Sequence, residues 1–247
     1  MRIVADTAFQ ALILCGGLGT RLGSLTASTP KPLLPVAGRP FLDVLLYELG
    51  RNGVRDVVLL ASFESPKITD YAARNELARR FGMSVTVAVE PERAGTAGAL
   101  YHARGMLRGD FMMLNGDSWL DFDLLSLPQA ARQADCDAVL TLRRLPDASR
   151  SGVVTMEGSV VTSFLPRPPG PGPGLVNAGI YWFSDRVVAS LPASGSLEQE
   201  VLPALSAEGR VRGIVKDGYF IDIGIPADYE RAQTEIPARL GLFQMLG

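Results

Sequence analysis

Ala11-Leu12-Ile13-Leu14-Cys15 is an unbroken apolar run closed by Gly16-Gly17. A run without polar alternation is the pattern of a strand buried on both faces, as in a parallel sheet. After a proline-punctuated stretch, Leu42, Leu45, Leu46 and Leu49 recur at the i, i+3, i+4, i+7 spacing of an amphipathic helix, with Gly50 and Gly53 near its end. The same reasoning predicts strands at 57–60, 85–89 and 111–114 and helices at 66–81 and 96–107. Strands alternating with helices of ten or more residues form βαβ units, so the first half predicts an open, largely parallel sheet with helices on both faces.

The second half is richer in strand patterns, at 138–142, 152–155, 160–164 and 176–183, around Glu157-Gly158-Ser159. They predict a mixed extension of the sheet. Pro166-Arg167-Pro168-Pro169-Gly170-Pro171-Gly172-Pro173-Gly174 lacks the strict period of collagen and cannot pair in a ladder, so it predicts a surface loop. The chain closes on a helical segment from Pro226, interrupted at Pro237. Without an internal repeat or an interdomain linker, residues 1–247 read as one domain with halves at 9–135 and 136–247.

Composition narrows the classes. Lys+Arg of 24 against Asp+Glu of 26 gives a net charge of −2, so no basic field attracts nucleic acid. Hydrophobic residues at 47% and charged residues at 20% describe a globular chain rather than a disordered one. The apolar runs are far shorter than the roughly 20 residues of a membrane span. Met1–Thr7 meets an acidic residue before any apolar stretch forms, unlike a secretory signal. Cys15 and Cys136, far apart in apolar surroundings, predict buried free thiols and a cytoplasmic, reducing compartment.

The Gly16-Gly17-Leu18-Gly19-Thr20-Arg21 loop follows the first strand directly, and its glycines let backbone N–H groups turn toward an anion. A glycine loop alone reads first as an ordinary tight turn. The dinucleotide fingerprint would need glycine where Leu22 stands, and the P-loop would need Gly-Lys-Ser/Thr where Gly19-Thr20-Arg21 stands. Arg21 at the end of the loop and Lys31 between Pro30 and Pro32, on what reads as a stiff extended segment, still point to phosphate.

Residues 16–40, GGLGTRLGSLTASTPKPLLPVAGRP, resemble the signature of the sugar-1-phosphate nucleotidyltransferases. That resemblance implies an α/β, Rossmann-like α/β/α three-layer fold with a mixed, largely parallel central sheet and a small β-rich sugar-binding extension. It implies an enzyme that joins an NTP to a sugar 1-phosphate, releasing pyrophosphate. Glu92-Arg93-Ala94-Gly95-Thr96-Ala97-Gly98-Ala99-Leu100 resembles the family segment lying against base and ribose. Asn115-Gly116-Asp117 resembles its metal-binding Gly-Asp, and Asp222 in Phe220-Ile221-Asp222-Ile223-Gly224-Ile225-Pro226 resembles its second metal-binding aspartate. The implied roles are catalytic for Arg21 and Lys31, and magnesium binding for Asp117 and Asp222. Leu14, Gly16, Gly17, Gly19, Thr20, Glu92, Gly95, Thr96 and Gly116 would touch the nucleotide. Asn177-Ala178-Gly179 resembles the Asn-Ala-Gly sugar segment, so Asn177 and Gly179, with Gly152 and Arg167, would touch the sugar phosphate. In this reading 9–135 is the nucleotide-binding half and 136–247 the sugar-phosphate-binding half.

The motif Ser196-Leu197-Glu198 opens a helix, and Glu198 reads as its cap rather than as a sugar residue. Leu165-Pro166-Arg167-Pro168 departs from the family's Glu-Lys-Pro, with Arg167 in place of the lysine. His102, the only histidine, reads as a solvated side chain. Within the family the closest resemblance is to D-glycero-α-D-manno-heptose 1-phosphate guanylyltransferases, followed by mannose-1-phosphate guanylyltransferases and uridylyltransferases for N-acetylated sugar phosphates. The implied substrates are GTP and a sugar 1-phosphate, on the way to lipopolysaccharide, capsule or another glycan, in a possible homo-oligomer. Two other classes compete. A glycosyltransferase would use Asp121-Phe122-Asp123 as its metal motif, and a non-catalytic nucleotide-sugar sensor would bind without turnover.

Overall fold

The computed structural model describes residues 9–245, so Met1–Thr7 lie outside the described residues. The strands are β1 (Gln10–Leu14), β2 (Pro35–Val36), β3 (Arg39–Pro40), β4 (Asp56–Ala61), β5 (Ser84–Val89), β6 (Phe111–Asn115), β7 (Ser118–Leu120), β8 (Ala138–Leu145), β9 (Val153–Glu157), β10 (Val160–Leu165), β11 (Gly174–Phe183), β12 (Val211–Val215) and β13 (Phe220–Asp222). The helices are α1 (Phe41–Arg51), α2 (Ser65–Arg74), α3 (Glu76–Phe81), α4 (Gly95–Ala103), α5 (Ser126–Ala134), α6 (Leu202–Ala207), α7 (Pro226–Glu235) and α8 (Leu242–Met245). The fold is α/β with a mixed central sheet of nine strands among the described residues. None of the described helices is long and apolar enough to cross a membrane.

The chain divides into two compact units, one of residues 1–93, 115–119 and 220–247, the other of residues 94–114 and 120–219. In the first, β1 pairs parallel with β4, and β4 with β5. Ala11, Leu12 and Ile13 are fully buried, as their unbroken apolar run requires. Helix α1 is buried along residues 41–50, on its polar positions as well as its leucines. Its polar positions are paired instead: Asp43 accepts from Tyr71 Oη at 2.6 Å, Asn75 Nδ2 at 3.0 Å and Arg39 Nε at 3.2 Å, while Glu48 accepts from Arg51 Nε at 2.8 Å. Unpaired, each carboxylate would pay the full cost of desolvation. The predicted helix at 66–81 is broken in two at Asn75, whose backbone is extended and whose Oδ1 accepts from Ala78 N at 2.7 Å, capping α3.

In the second unit β11 runs antiparallel to both β6 and β8, β8 pairs parallel with β12, and β10 pairs antiparallel with β12 and β9. Strand β11 begins at Gly174, so the end of the proline-glycine segment joins the sheet. The predicted helix at 96–107 ends earlier, α4 giving way to a 3-10 turn at Arg104–Met106. Cys15 and Cys136 are both buried free thiols, as expected.

Candidate active site

Strand β1 delivers the glycine loop to its carboxyl end, where open α/β sheets place ligands. Lys31 lies in a 3-10 turn, Lys31–Leu33, rather than on an extended segment. Only Pro30 is extended, while Pro32, whose fixed φ suits a first helical turn, continues it. This turn buries Lys31 and sets its Nζ 2.6 Å from Asp117 Oδ2.

Asp117 itself follows β6. A hairpin through Asn115-Gly116 is excluded, because β6 belongs to the nine-stranded sheet whereas β7 pairs with β13. That second pairing draws the chain of β13 alongside, and Ile223 N donates to the Asp117 carbonyl at 2.9 Å. Gly116 must be glycine: a Cβ there would run into the Leu14 carbonyl and the Pro32 ring. Gly116 is therefore packed at backbone distance against Leu14 and against the Pro32 ring of the Lys31 turn.

Burial first, and then the charge of Asp117, push the Asp222 carboxyl up to about 6, against the opposing pull of Lys31, the Gly224 N–H and Arg21. Gly224 N donates to Asp222 Oδ1 at 2.7 Å, and a Cβ on Gly224 would stand 3.0 Å from Arg21 Nη2. Burial and the same Asp117 charge raise the Cys15 thiol out of its titrating range. The charge of Asp117 beside the buried Asp222 carboxyl makes a site short of positive charge. Among the described residues no group of three or more His, Cys, Asp or Glu side chains forms a metal site. A two-carboxylate site fits magnesium, which completes its shell with water and substrate phosphates.

The remaining nucleotide-side residues divide. Gly16 packs beside Ser62 and Glu90, and Gly17, Thr20 and Glu92 are exposed. The Gly19 carbonyl accepts from Leu22 N at 2.9 Å and Thr26 Oγ1 at 3.0 Å, closing the loop. In the second unit Gly95 has φ +76°, and its missing Cβ leaves room for the Gly195 carbonyl, a close approach of chain to chain. Thr96 Oγ1 accepts from Leu197 N at 2.8 Å.

The expected sugar residues are only partly brought together. Between Asn177 and Tyr181 the register of β11 against β8 jumps: Asn177 faces Leu142 but Tyr181 faces Leu140. In a regular strand residues four apart stand about 13 Å apart. The bulge, at Gly179 with φ +77°, brings Asn177 Nδ2 to 2.7 Å from Tyr181 Oη instead. Both reach Glu198 Oε1, at 3.0 Å from Asn177 Nδ2 and 2.8 Å from Tyr181 Oη.

Glu198 is thus not the helix cap. Ser196 Oγ caps the turn by accepting from Gln199 N at 3.2 Å, and Glu200 Oε1 accepts from Ser196 N at 3.1 Å. Serine and acid were both legible there, but Glu198 and Glu200 compete for the role and only the bulge decides it. Tyr181 was missed as a site residue, although the Asn-Ala-Gly-Ile-Tyr spacing across a glycine was its signal. Gly152 and Arg167 are exposed, and Arg167 makes no hydrogen bond or ion pair with the described residues. Asp123, offered to the glycosyltransferase reading, closes a turn just before α5, its Oδ1 accepting from Leu125 N at 3.0 Å.

Comparison with known proteins places the chain among nucleotidyl transferases. The family model for nucleotidyl transferases matches residues 10–239. The chain is 36% identical to a mannose-1-phosphate guanylyltransferase of Mycobacterium tuberculosis, over 94% of this chain and 66% of that one. It is 32% identical to a D-glycero-alpha-D-manno-heptose 1-phosphate guanylyltransferase of Campylobacter jejuni, over 89% of this chain and 96% of that one. The crystal structure of HddC from Yersinia pseudotuberculosis, solved also in complex with GMP-PN, superimposes with a TM-score of 0.81 at 30% identity, over 92% of this chain and 99% of that one. The chain belongs to the nucleotidyl transferase family.

Proposed function

We propose that the chain is a sugar-1-phosphate guanylyltransferase that joins GTP to D-glycero-α-D-manno-heptose 1-phosphate. The observation that carries the nucleotidyl-transfer reading is the Arg21, Lys31, Asp117 and Asp222 group at the end of β1. GTP is supported by the guanylyltransferase relatives and by the GMP-PN complex of HddC. The mannose 1-phosphate reading is favoured by the 36% identity to the mycobacterial enzyme and is the second candidate.

A phosphate oxygen of the sugar 1-phosphate attacks the α-phosphorus of GTP in line as the bond to pyrophosphate breaks, so the chain's task is positioning and charge. Lys31 spends one of its three donors on Asp117 and offers the others to the phosphates around the reacting centre. Arg21 meets the triphosphate and the charge that develops on leaving pyrophosphate. Asp117 and Asp222 would hold magnesium, which supplies charge neutralisation to the phosphates when bound. Glu198, held beside Asn177 and the Gly179 bulge, serves the acceptor's sugar, and Arg167 its phosphate through a planar fork. The buried free thiols support a reducing, cytoplasmic setting.

A grid of four NTPs against several sugar 1-phosphates, read as pyrophosphate release, tests the reading. GTP with heptose 1-phosphate is the expected strongest pair. Nucleotide binding without turnover on any acceptor would make the chain a sensor instead.

A further inference from the structure

The Asn177 amide nitrogen is fully engaged. Both its N–H groups donate, to Tyr181 Oη and Glu198 Oε1, and its Oδ1 accepts from Gly179 N at 3.0 Å. Tyr181 Oη accepts from Asn177 and donates to Glu198. Donation therefore runs one way through three side chains and ends on a single carboxylate oxygen, while Glu198 Oε2 takes no hydrogen bond from the described residues. Asn177 has no N–H left for a sugar oxygen, so Glu198 Oε2 is the charged acceptor that this cluster can offer a substrate hydroxyl.

Glu198 is exposed, on the first turn of the segment Leu197–Val201, and by itself would sample many rotamers. Tyr181 is only 1% exposed. Its ring stacks on Phe183 with centroids 5.7 Å apart, and Phe183 packs on Phe111 at 5.6 Å. The phenol is therefore an arm mounted on the core that grips an exposed carboxylate. A second grip acts on the backbone. Leu197 N–H, one of the donors that a helix start leaves unpaired, is taken by Thr96 Oγ1. Gly195 N donates to the Ala94 carbonyl at 2.7 Å and Ala97 N to the Gly195 carbonyl at 3.0 Å, so residues 94–97 are laced to 195–197.

We propose that Tyr181 and Thr96 are positioning residues for acceptor recognition, Tyr181 orienting the Glu198 carboxylate and Thr96 anchoring the turn that carries it. This rests on the reading of Glu198 as the residue that meets the acceptor's hydroxyls. Thr96 is assigned by sequence to the nucleotide, yet this geometry gives it an effect on the sugar.

Steady-state kinetics of the full chain test it, with GTP and the better of heptose 1-phosphate and mannose 1-phosphate. Tyr181→Phe removes one hydrogen bond to a charged group and should raise the acceptor KM about tenfold, with kcat and the GTP KM within about twofold of the parent. Thr96→Val should raise the acceptor KM too, and Thr96→Ser, which keeps the accepting oxygen, should restore it. A hydroxyl that served only fold stability would lower the melting temperature without separating the two KM values. Unchanged acceptor KM in Tyr181→Phe and Thr96→Val, with a raised one in Glu198→Ala, overturns the positioning roles and leaves the acceptor reading standing. Unchanged acceptor KM in Glu198→Ala overturns both.

Discussion

Lys31 and Asp117 are 86 positions apart in the chain and 2.6 Å apart in the fold. That contact explains why a lysine is held among prolines: its buried ammonium needs a fixed counter-charge, and a rigid turn keeps it there. Asp222 pays the opposite cost, being close to a like charge. Asp222→Asn should fold and lose roughly 100- to 1000-fold in kcat, as expected when a preorganised charge contact is removed. Near-parental rates in magnesium would remove Asp222 from the site. Arg167→Ala addresses the acceptor's phosphate from an exposed position without an internal partner. It should raise the sugar phosphate KM well above any change in the GTP KM, because only ground-state binding is lost. Equal values of both constants in mutant and parent would make Arg167 a plain loop residue.

At the scale of elements, what was legible is what local periodicity encodes. Strands β1, β4 and β5 announce themselves as short apolar runs, and the glycine loop follows β1 where the pattern puts it. The break at Asn75 was hidden because the apolar positions continue across it, and the capping amide acts only through its own backbone geometry. The two-stranded β7–β13 pairing was hidden for another reason: three-residue strands carry no period, and their partner is about a hundred residues away. Family resemblance supplied Asp117 and Asp222 without this pairing, which is what joins them. The bulge in β11 is similar, since Asn177 was legible but its engagement by Tyr181 and Glu198 was not. Gly179→Ala puts a Cβ at φ +77° and should destabilise the chain by about 1 kcal/mol or more, read by urea denaturation. It should also raise the acceptor KM, because the bulge brings Asn177 to Tyr181. A stable variant with parental acceptor binding would show that the bulge is not needed at the site.

For the whole molecule, the carboxylate pair turns into a dependence of stability on pH and on cation. An aspartate has an ordinary value of 3.8, and Asp222 is raised to about 6 in the fold. Between these values the folded chain binds the proton that the unfolded chain has released. The folded state therefore loses stability as pH rises from about 4 through 6, and the loss is complete above 6. Its size is at most about 3 kcal/mol at 1.36 kcal/mol per unit, an upper limit because water screens part of it. In the absence of divalent cation, Asp222→Asn should therefore melt higher than the parent at pH 7.5, and the gap should close toward pH 4. Magnesium held by Asp117 and ionised Asp222, as proposed, should raise the parent's melting temperature at pH 7.5 by mass action. Protonation of Asp222 should remove that gain near pH 4.5, and Asp222→Asn should show little of it at either pH. A magnesium shift of equal size in parent and variant would place the cation away from Asp222, whereas a parent that outmelts the variant without metal at pH 7.5 would show that Lys31 and Arg21 already neutralise the site.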